Sequence, residues 1–126
     1  MKKINIRSKG ASGERQACKW LLENFGIEAE RNLDQTRSGG ADIITHNTMF
    51  EVKRAEAIAL RKWWIQVKTA AKYTGHLPVV MFRPNNAKWE FLVSAELLGL
   101  DRGFMRLDEI TFIMFYNKYL EDTFGS

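Results

Sequence analysis

The chain has 126 residues, 45% hydrophobic, 12% aromatic and 27% charged, which gives one globular domain a real core and excludes a second large domain within these residues. Nineteen Lys and Arg against fifteen Asp and Glu leave a net charge of +4, which points toward a polyanionic partner. The single cysteine, Cys18, excludes an intrachain disulfide and a zinc site of several thiolates, so a reducing, cytoplasmic setting is expected. No apolar signal-peptide core follows the basic start Met1-Lys2-Lys3, and no run approaches the roughly 20 apolar residues of a membrane span.

Residues 1–11, with Lys2, Lys3, Arg7 and Lys9 and little to bury, read as a basic flexible arm. Ala17, Trp20, Leu21, Leu22 and Phe25 then follow helical spacing, with Ser12 as a cap and Gly26 as a stop, and predict a helix over about 13–25 in which Cys18 and Trp20 are packing residues. Residues 27–32 alternate in period two as a strand does. Ala41-Asp42-Ile43-Ile44-Thr45 and Met49-Phe50-Glu51-Val52-Lys53, either side of His46-Asn47-Thr48, signal a hairpin. A second helix is expected from about Ile58 to Tyr73, stopped by Gly75. The adjacent tryptophans on it, Trp63 and Trp64, offer rings for stacking on bases, but one of such a helical pair usually faces the core.

Pro78–Arg83 reads as a strand buried on both faces, and Trp89–Val93 as its companion across a turn. Ser94 can cap a short helical turn through Leu98, and the tail from Asp108 to about Asp122 suits a helix, although Thr111–Phe115 also has strand character. The order αβββαββα predicts an α/β (α+β) domain with a mixed central sheet flanked by helices.

The chemistry is concentrated in the hairpin. Asp42, Glu51 and Lys53 are types disfavoured in strands, and Glu51 and Lys53 share a face. If His46 and Asn47 are the central turn residues, Asp42 falls opposite Glu51, with Cβ atoms about 4.5–5.5 Å apart. Two carboxylates that close repel unless a cation lies between them or one is protonated. Mg²⁺ suits carboxylate and carbonyl oxygens, so Asp42, Glu51 and the carbonyl of Val52 form a candidate metal site, with Lys53 placed to orient a water or stabilise charge on phosphorus. The same residues on a wet hairpin face would be a plain Glu-Lys pair with a stray Asp. Ser38-Gly39-Gly40 lets backbone approach just before Asp42, and Lys53, Arg54, Arg61, Lys62, Lys68 and Lys72 add cations after it.

Glu14, Arg37-Ser38-Gly39-Gly40-Ala41-Asp42-Ile43-Ile44 and Phe50-Glu51-Val52-Lys53-Arg54 resemble the PD-(D/E)XK nuclease superfamily, and more narrowly its archaeal-type and phage Holliday junction resolvases, over about Lys9 to Val93. The resemblance implies a restriction-endonuclease-like core and a Mg²⁺-dependent endonuclease, with Mn²⁺ able to substitute. It implies Asp42 and Glu51 as metal ligands, Glu14 completing the acidic cluster, Lys53 assisting the attacking water, and Ser38 and Gln66 contributing to the site. Arg7, Lys9, Arg15 and Arg31 would contact DNA phosphates, joined by Arg37, Arg54, Lys68 and Lys72 as the expected DNA-binding set. It also implies a homodimer, because two symmetry-related cuts need two sites; residues 104–126 have no counterpart in the resemblance and read from their own pattern as a covering or dimerisation segment. Its phage members admit a viral origin with action in the host cell.

His46 and His76 have no partners at zinc-ligand spacing, and no nucleotide-binding G-X-X-X-X-G-K-[ST] motif is present, so no nucleotide cofactor or membrane is expected. A PD-(D/E)XK nuclease of other specificity, acting on flaps or ends in repair or replication, uses the same residues. A non-catalytic nucleic-acid-binding module is the alternative of another class, and the intact Asp42, Glu51 and Lys53 set counts against it.

Overall fold

A computed structural model describes the backbone of residues 6–32, 41–54, 57–84 and 87–124, and the side chains among them from Ser12 to Thr123. Helix α1 (Ile6–Phe25) is followed by strands β1 (Glu30–Arg31), β2 (Ile43–Ile44) and β3 (Thr48–Lys53), then α2 (Leu60–Ala71), β4 (Leu77–Phe82) and β5 (Glu90–Ser94). A single 3-10 turn (Ala95–Leu98), strand β6 (Phe104–Asp108) and helix α3 (Glu109–Phe124) complete the described chain. The six strands form one sheet in the order β1-β2-β3-β4-β5-β6. Only β3 and β4 run parallel, and α2 is the crossover that such a pair requires.

The alternation of side chains divides the core in two. Phe50 and Val52 of β3, with Leu77, Val79 and Met81 of β4, face the layer of α1 and α3, where they meet Ala17, Leu21, Phe112 and Tyr116. Met49, Val80 and Phe82 face α2, packing against Trp63, Trp64, Val67 and Ala71. Strand β4 is therefore covered on both sides, as its near-continuous apolar run predicted. Both tryptophans of the adjacent pair are buried, Trp63 against Phe82 and Trp64 against Phe104, so neither ring is left over for stacking on bases.

Several expectations need correction. Helix α1 starts at Ile6 rather than near residue 13, so residues 6–11 of the expected arm are helical. The helix runs through Gly13, beside which lies the stem of Arg54. At its other end Gly26 takes a left-handed φ of 68°, the stop that the sequence announced. The period-two run at 27–32 yields only two strand residues. Register Glu30↔Ile44 would set residues 27–29 against the turn at 45–47, which has no ladder to offer. Strand β6 was not foreseen, and the element order is αβββαβββα. Its side chains alternate over only five residues, and Arg106 holds Glu90 on β5 with bonds of 2.6 and 2.9 Å.

The tail is the expected helix, capped by Asp108 Oδ1, which accepts from Thr111 N at 2.8 Å. Ser94 caps the 3-10 turn in the same way, accepting from Glu96 N at 3.1 Å. Phe112 stacks on Phe91 with ring centroids 3.9 Å apart, and Tyr116 bonds its hydroxyl to Thr48 Oγ1 at 2.6 Å, locking α3 to the turn end of β3. Phe112 is fully buried, so Phe112→Ala is expected to lower the unfolding free energy by about 3–5 kcal/mol, read from the midpoint of urea denaturation.

Candidate active site

The β2–β3 hairpin has the register expected of a two-residue turn. Ile43 pairs with Phe50 and Ile44 with Met49, and Thr45 N donates to Thr48 O at 2.9 Å to close it. The ladder stops at Ile43, and the chain bends at Asp42. The Asp42 amide donates to the Phe50 carbonyl at 3.1 Å, while the Asp42 carbonyl accepts from Asn32 N at 2.7 Å on the other side. In a regular strand a residue's N–H and C=O point the same way, so this split marks a local bulge. The bend lets the Asp42 carboxylate accept from the Val52 N–H at 2.7 Å, across the hairpin and beside Glu51.

Glu51 lies on the sheet face that meets α2 and is only 2% exposed. Its Oε1 pairs with Lys53 Nζ at 3.3 Å, the alternate-residue neighbour on the same face. Its Oε2 is buried with no hydrogen-bond partner. Burial first, and then the facing charge of Asp42, push the Glu51 carboxyl up to about 8, against which the Lys53 ammonium pulls down. The Asp42 and Glu51 carboxyls are close enough to hydrogen-bond when one carries a proton.

A hard divalent cation fits these groups. Two opposed carboxylates, one with a buried oxygen that no donor meets, form the oxygen-rich, electron-dense setting that Mg²⁺ or Mn²⁺ takes up. Among the described residues no three His, Cys, Asp or Glu side chains close into one metal-sized group.

Glu14 comes from α1, in the layer opposite the one that Glu51 faces. Its Oε2 is held by Arg31, at 3.3 Å from both Nε and Nη2. Burial, followed by the charge of Asp42, raises the Glu14 pKa, so the two acids sense one another. Arg31 thus has a carboxylate partner within the protein. Ser38 and Arg37 lie outside the described residues. Arg7 and Lys9 sit on the first turns of α1, Arg15 is exposed, and Arg54 follows Lys53 with its stem against Gly13. Gln66 is exposed on α2, whose neighbours Trp63 and Val67 face the sheet. Lys68 pairs with Glu96 at 3.1 Å, and Lys72 lies over the Tyr73 ring. His46 is exposed at the turn, and the Cys18 thiol, pushed up mainly by burial, is a packing group against the α1 layer.

Sequence reasoning missed Asn32. Besides its N–H bond to Asp42, its side-chain Nδ2 donates to the Ala41 carbonyl at 2.9 Å. The signal available was an asparagine, disfavoured in strands, at the end of an alternating run and next to Arg31.

The family model described as "Phage putative PDDEXK endonuclease" matches residues 5–121. The chain belongs to this family. It is therefore a nuclease of the PDDEXK type. The fold is that of the restriction-endonuclease-like proteins. The Holliday junction resolvase Hjc of Archaeoglobus fulgidus superposes with a TM-score of 0.54 over 81% of this chain and 85% of that one, at 23% identity. No curated protein matches in sequence. Among the described residues no helix is long and apolar enough to cross a membrane.

The raised Glu51 pKa has a consequence for metal-free protein. A carboxyl that holds its proton up to about 8 when folded, but ionises in the ordinary carboxylate range when unfolded, stabilises the fold at low pH and loses that contribution as pH rises between those values. In EDTA, urea unfolding should therefore show stability falling from about pH 5 to about pH 8, and Glu51→Gln should flatten that fall.

Proposed function

We propose that this protein is a Mg²⁺-dependent endodeoxyribonuclease that hydrolyses phosphodiesters in branched DNA, a Holliday junction resolvase acting as a homodimer. One observation carries the reading: Asp42 and Glu51 face each other, with Glu51 Oε2 buried and unmatched and Lys53 on the same strand face. A surface that only bound DNA would gain nothing from buried carboxylates turned toward phosphate.

In this reading Asp42, Glu51 and the Val52 carbonyl hold the cation, with Glu14 as the further acid. Bound there, Mg²⁺ or Mn²⁺ offsets phosphate charge and makes a water more acidic. Lys53, steadied by Glu51 at 3.3 Å, orients the attacking water and stabilises charge on the phosphoryl oxygens. The water oxygen bonds to phosphorus and gives up a proton to solvent as the bond to the leaving sugar oxygen breaks, and the leaving oxygen takes up a proton from solvent. Ser38 and Gln66 are the remaining assigned site residues. Arg7, Lys9, Arg15, Arg37 and Arg54 bind phosphates, with Arg31, Lys68 and Lys72 able to join them by exchanging their present partners. Such contacts position DNA without reading bases, as recognition of branch shape requires. Each chain carries one such hairpin, so paired cuts across a junction call for two copies. Exposed Ile110 and Met114 on α3 offer apolar surface for pairing.

Labelled four-way junction, flap and linear duplex, each incubated with Mg²⁺ and with EDTA, test this directly. Paired symmetric nicks on the junction alone, absent in EDTA, are expected; cutting confined to flaps or ends would shift the specificity, and binding without metal-dependent cutting would remove the enzyme reading. Asp42→Ala and Glu51→Ala should bring cutting to background while junction binding by gel shift is retained. Lys53→Ala should slow cutting on the order of a hundredfold or more.

A further inference from the structure

Asp42 is the one member of the hairpin constellation that does not lie on a regular strand, so something other than the ladder must aim it. Its two flanking peptide groups are each fixed from outside. The peptide before it is held by the Ala41 carbonyl, which accepts from Asn32 Nδ2 at 2.9 Å, and by the Asp42 N–H, which donates to Phe50 O at 3.1 Å. The peptide after it is held by the Asp42 carbonyl, which accepts from Asn32 N at 2.7 Å. Two of these three bonds come from one residue. Asn32 grips consecutive carbonyls nine and ten positions along the chain, one with its backbone and one with its side chain.

We propose that Asn32 is a positioning residue for the metal site, setting through the Ala41 and Asp42 carbonyls the angle at which the Asp42 carboxylate meets Glu51. The inference rests on the reading of Asp42 and Glu51 as metal ligands. The side-chain amide is suited to this task because it is a neutral donor. It satisfies a carbonyl without adding a charge next to two carboxylates and the Glu14–Arg31 pair. An aspartate of the same shape would present only acceptors to the Ala41 carbonyl and would repel it. The neighbouring Arg31, at the end of β1, grips Glu14, so Arg31 and Asn32 together orient two acidic residues, Glu14 at its carboxylate and Asp42 at its backbone. Groups that orient ligands without touching metal typically change metal affinity or activity by about 10–100-fold when removed.

The test is direct Mn²⁺ binding to folded protein, followed by electron paramagnetic resonance of the free ion, for the unaltered chain, Asn32→Ala, Asn32→Asp and Asp42→Asn. Near-UV circular dichroism at the binding temperature identifies folded samples. Both Asn32 variants are expected to be folded and to bind Mn²⁺ about tenfold or more weakly, and the Mg²⁺ concentration for half-maximal junction cutting is expected to rise in parallel while the apparent Kd for junction in EDTA stays unchanged. Unaltered Mn²⁺ affinity in both variants, with Asp42→Asn losing it, overturns the role of Asn32 and leaves the metal site standing. Unaltered affinity in Asp42→Asn overturns the metal-site reading itself and this inference with it. If neither Asn32 variant folds, the residue holds the fold rather than tunes the site, and the inference is likewise overturned.

Discussion

A carboxylate buried within a sheet imposes terms on everything around it. Glu51 is 2% exposed, stands between Phe50 and Val52 on a strand with neighbours on both sides, and faces the apolar layer of α2. Taking an ionised carboxylate from water is costly unless its charge is answered close by. Lys53 answers one oxygen and leaves the other, while Asp42 adds a like charge instead of relieving it. Among the described residues the protein answers this charge at one oxygen only, and the proton that Glu51 retains up to about 8 relieves the rest.

The surrounding architecture keeps that arrangement from relaxing. Strand β3 pairs with β2 on one side and β4 on the other, with a parallel register that runs from Thr48↔Leu77 to Lys53↔Phe82. Arg83 N extends the ladder to Lys53 O at 3.0 Å. Phe50 and Val52 anchor the strand into the α1 and α3 layer, so Glu51 and Lys53 are aimed at the opposite face by the same alternation that fills the core. The position of the lysine relative to the glutamate is thus a property of strand geometry.

Much of this was legible because it follows from period and punctuation. Gly26 stopped its helix with positive φ where the pattern expected it, whereas the second helix ends at Ala71, before Gly75, and His46-Asn47 fixed the hairpin register. What escaped depended on contacts between segments distant in sequence. Gly10 and Gly13 look like breaks in a helix, yet α1 runs through both and packs against the sheet. Trp63 and Trp64 both find cover because β6, too short to announce itself, brings Phe104 against the second ring. The candidate site shows the same division. Asp42, Glu51 and Lys53 stood out as charges in a strand, whereas the bulge that swings Asp42 onto the Val52 amide comes from bonds that Asn32 and Phe50 make to its backbone.

The hairpin's two carboxylates rest on unequal foundations. Glu51 belongs to a six-residue strand flanked on both sides, while the backbone leading to Asp42 is tied through β1 and β2, which contribute two residues each at the sheet's margin. Few paired residues mean a small local opening free energy, so this margin can part without unfolding β3. On the proposed reading, in which a cation binds between the carboxylates, organisation of the Asp42 arm and occupancy of the site would be linked equilibria, and the bound cation would also close the margin. The apparent affinity of the site would then include the free energy of assembling its less supported half, and a change in the stability of β1 would tune it without altering a ligand.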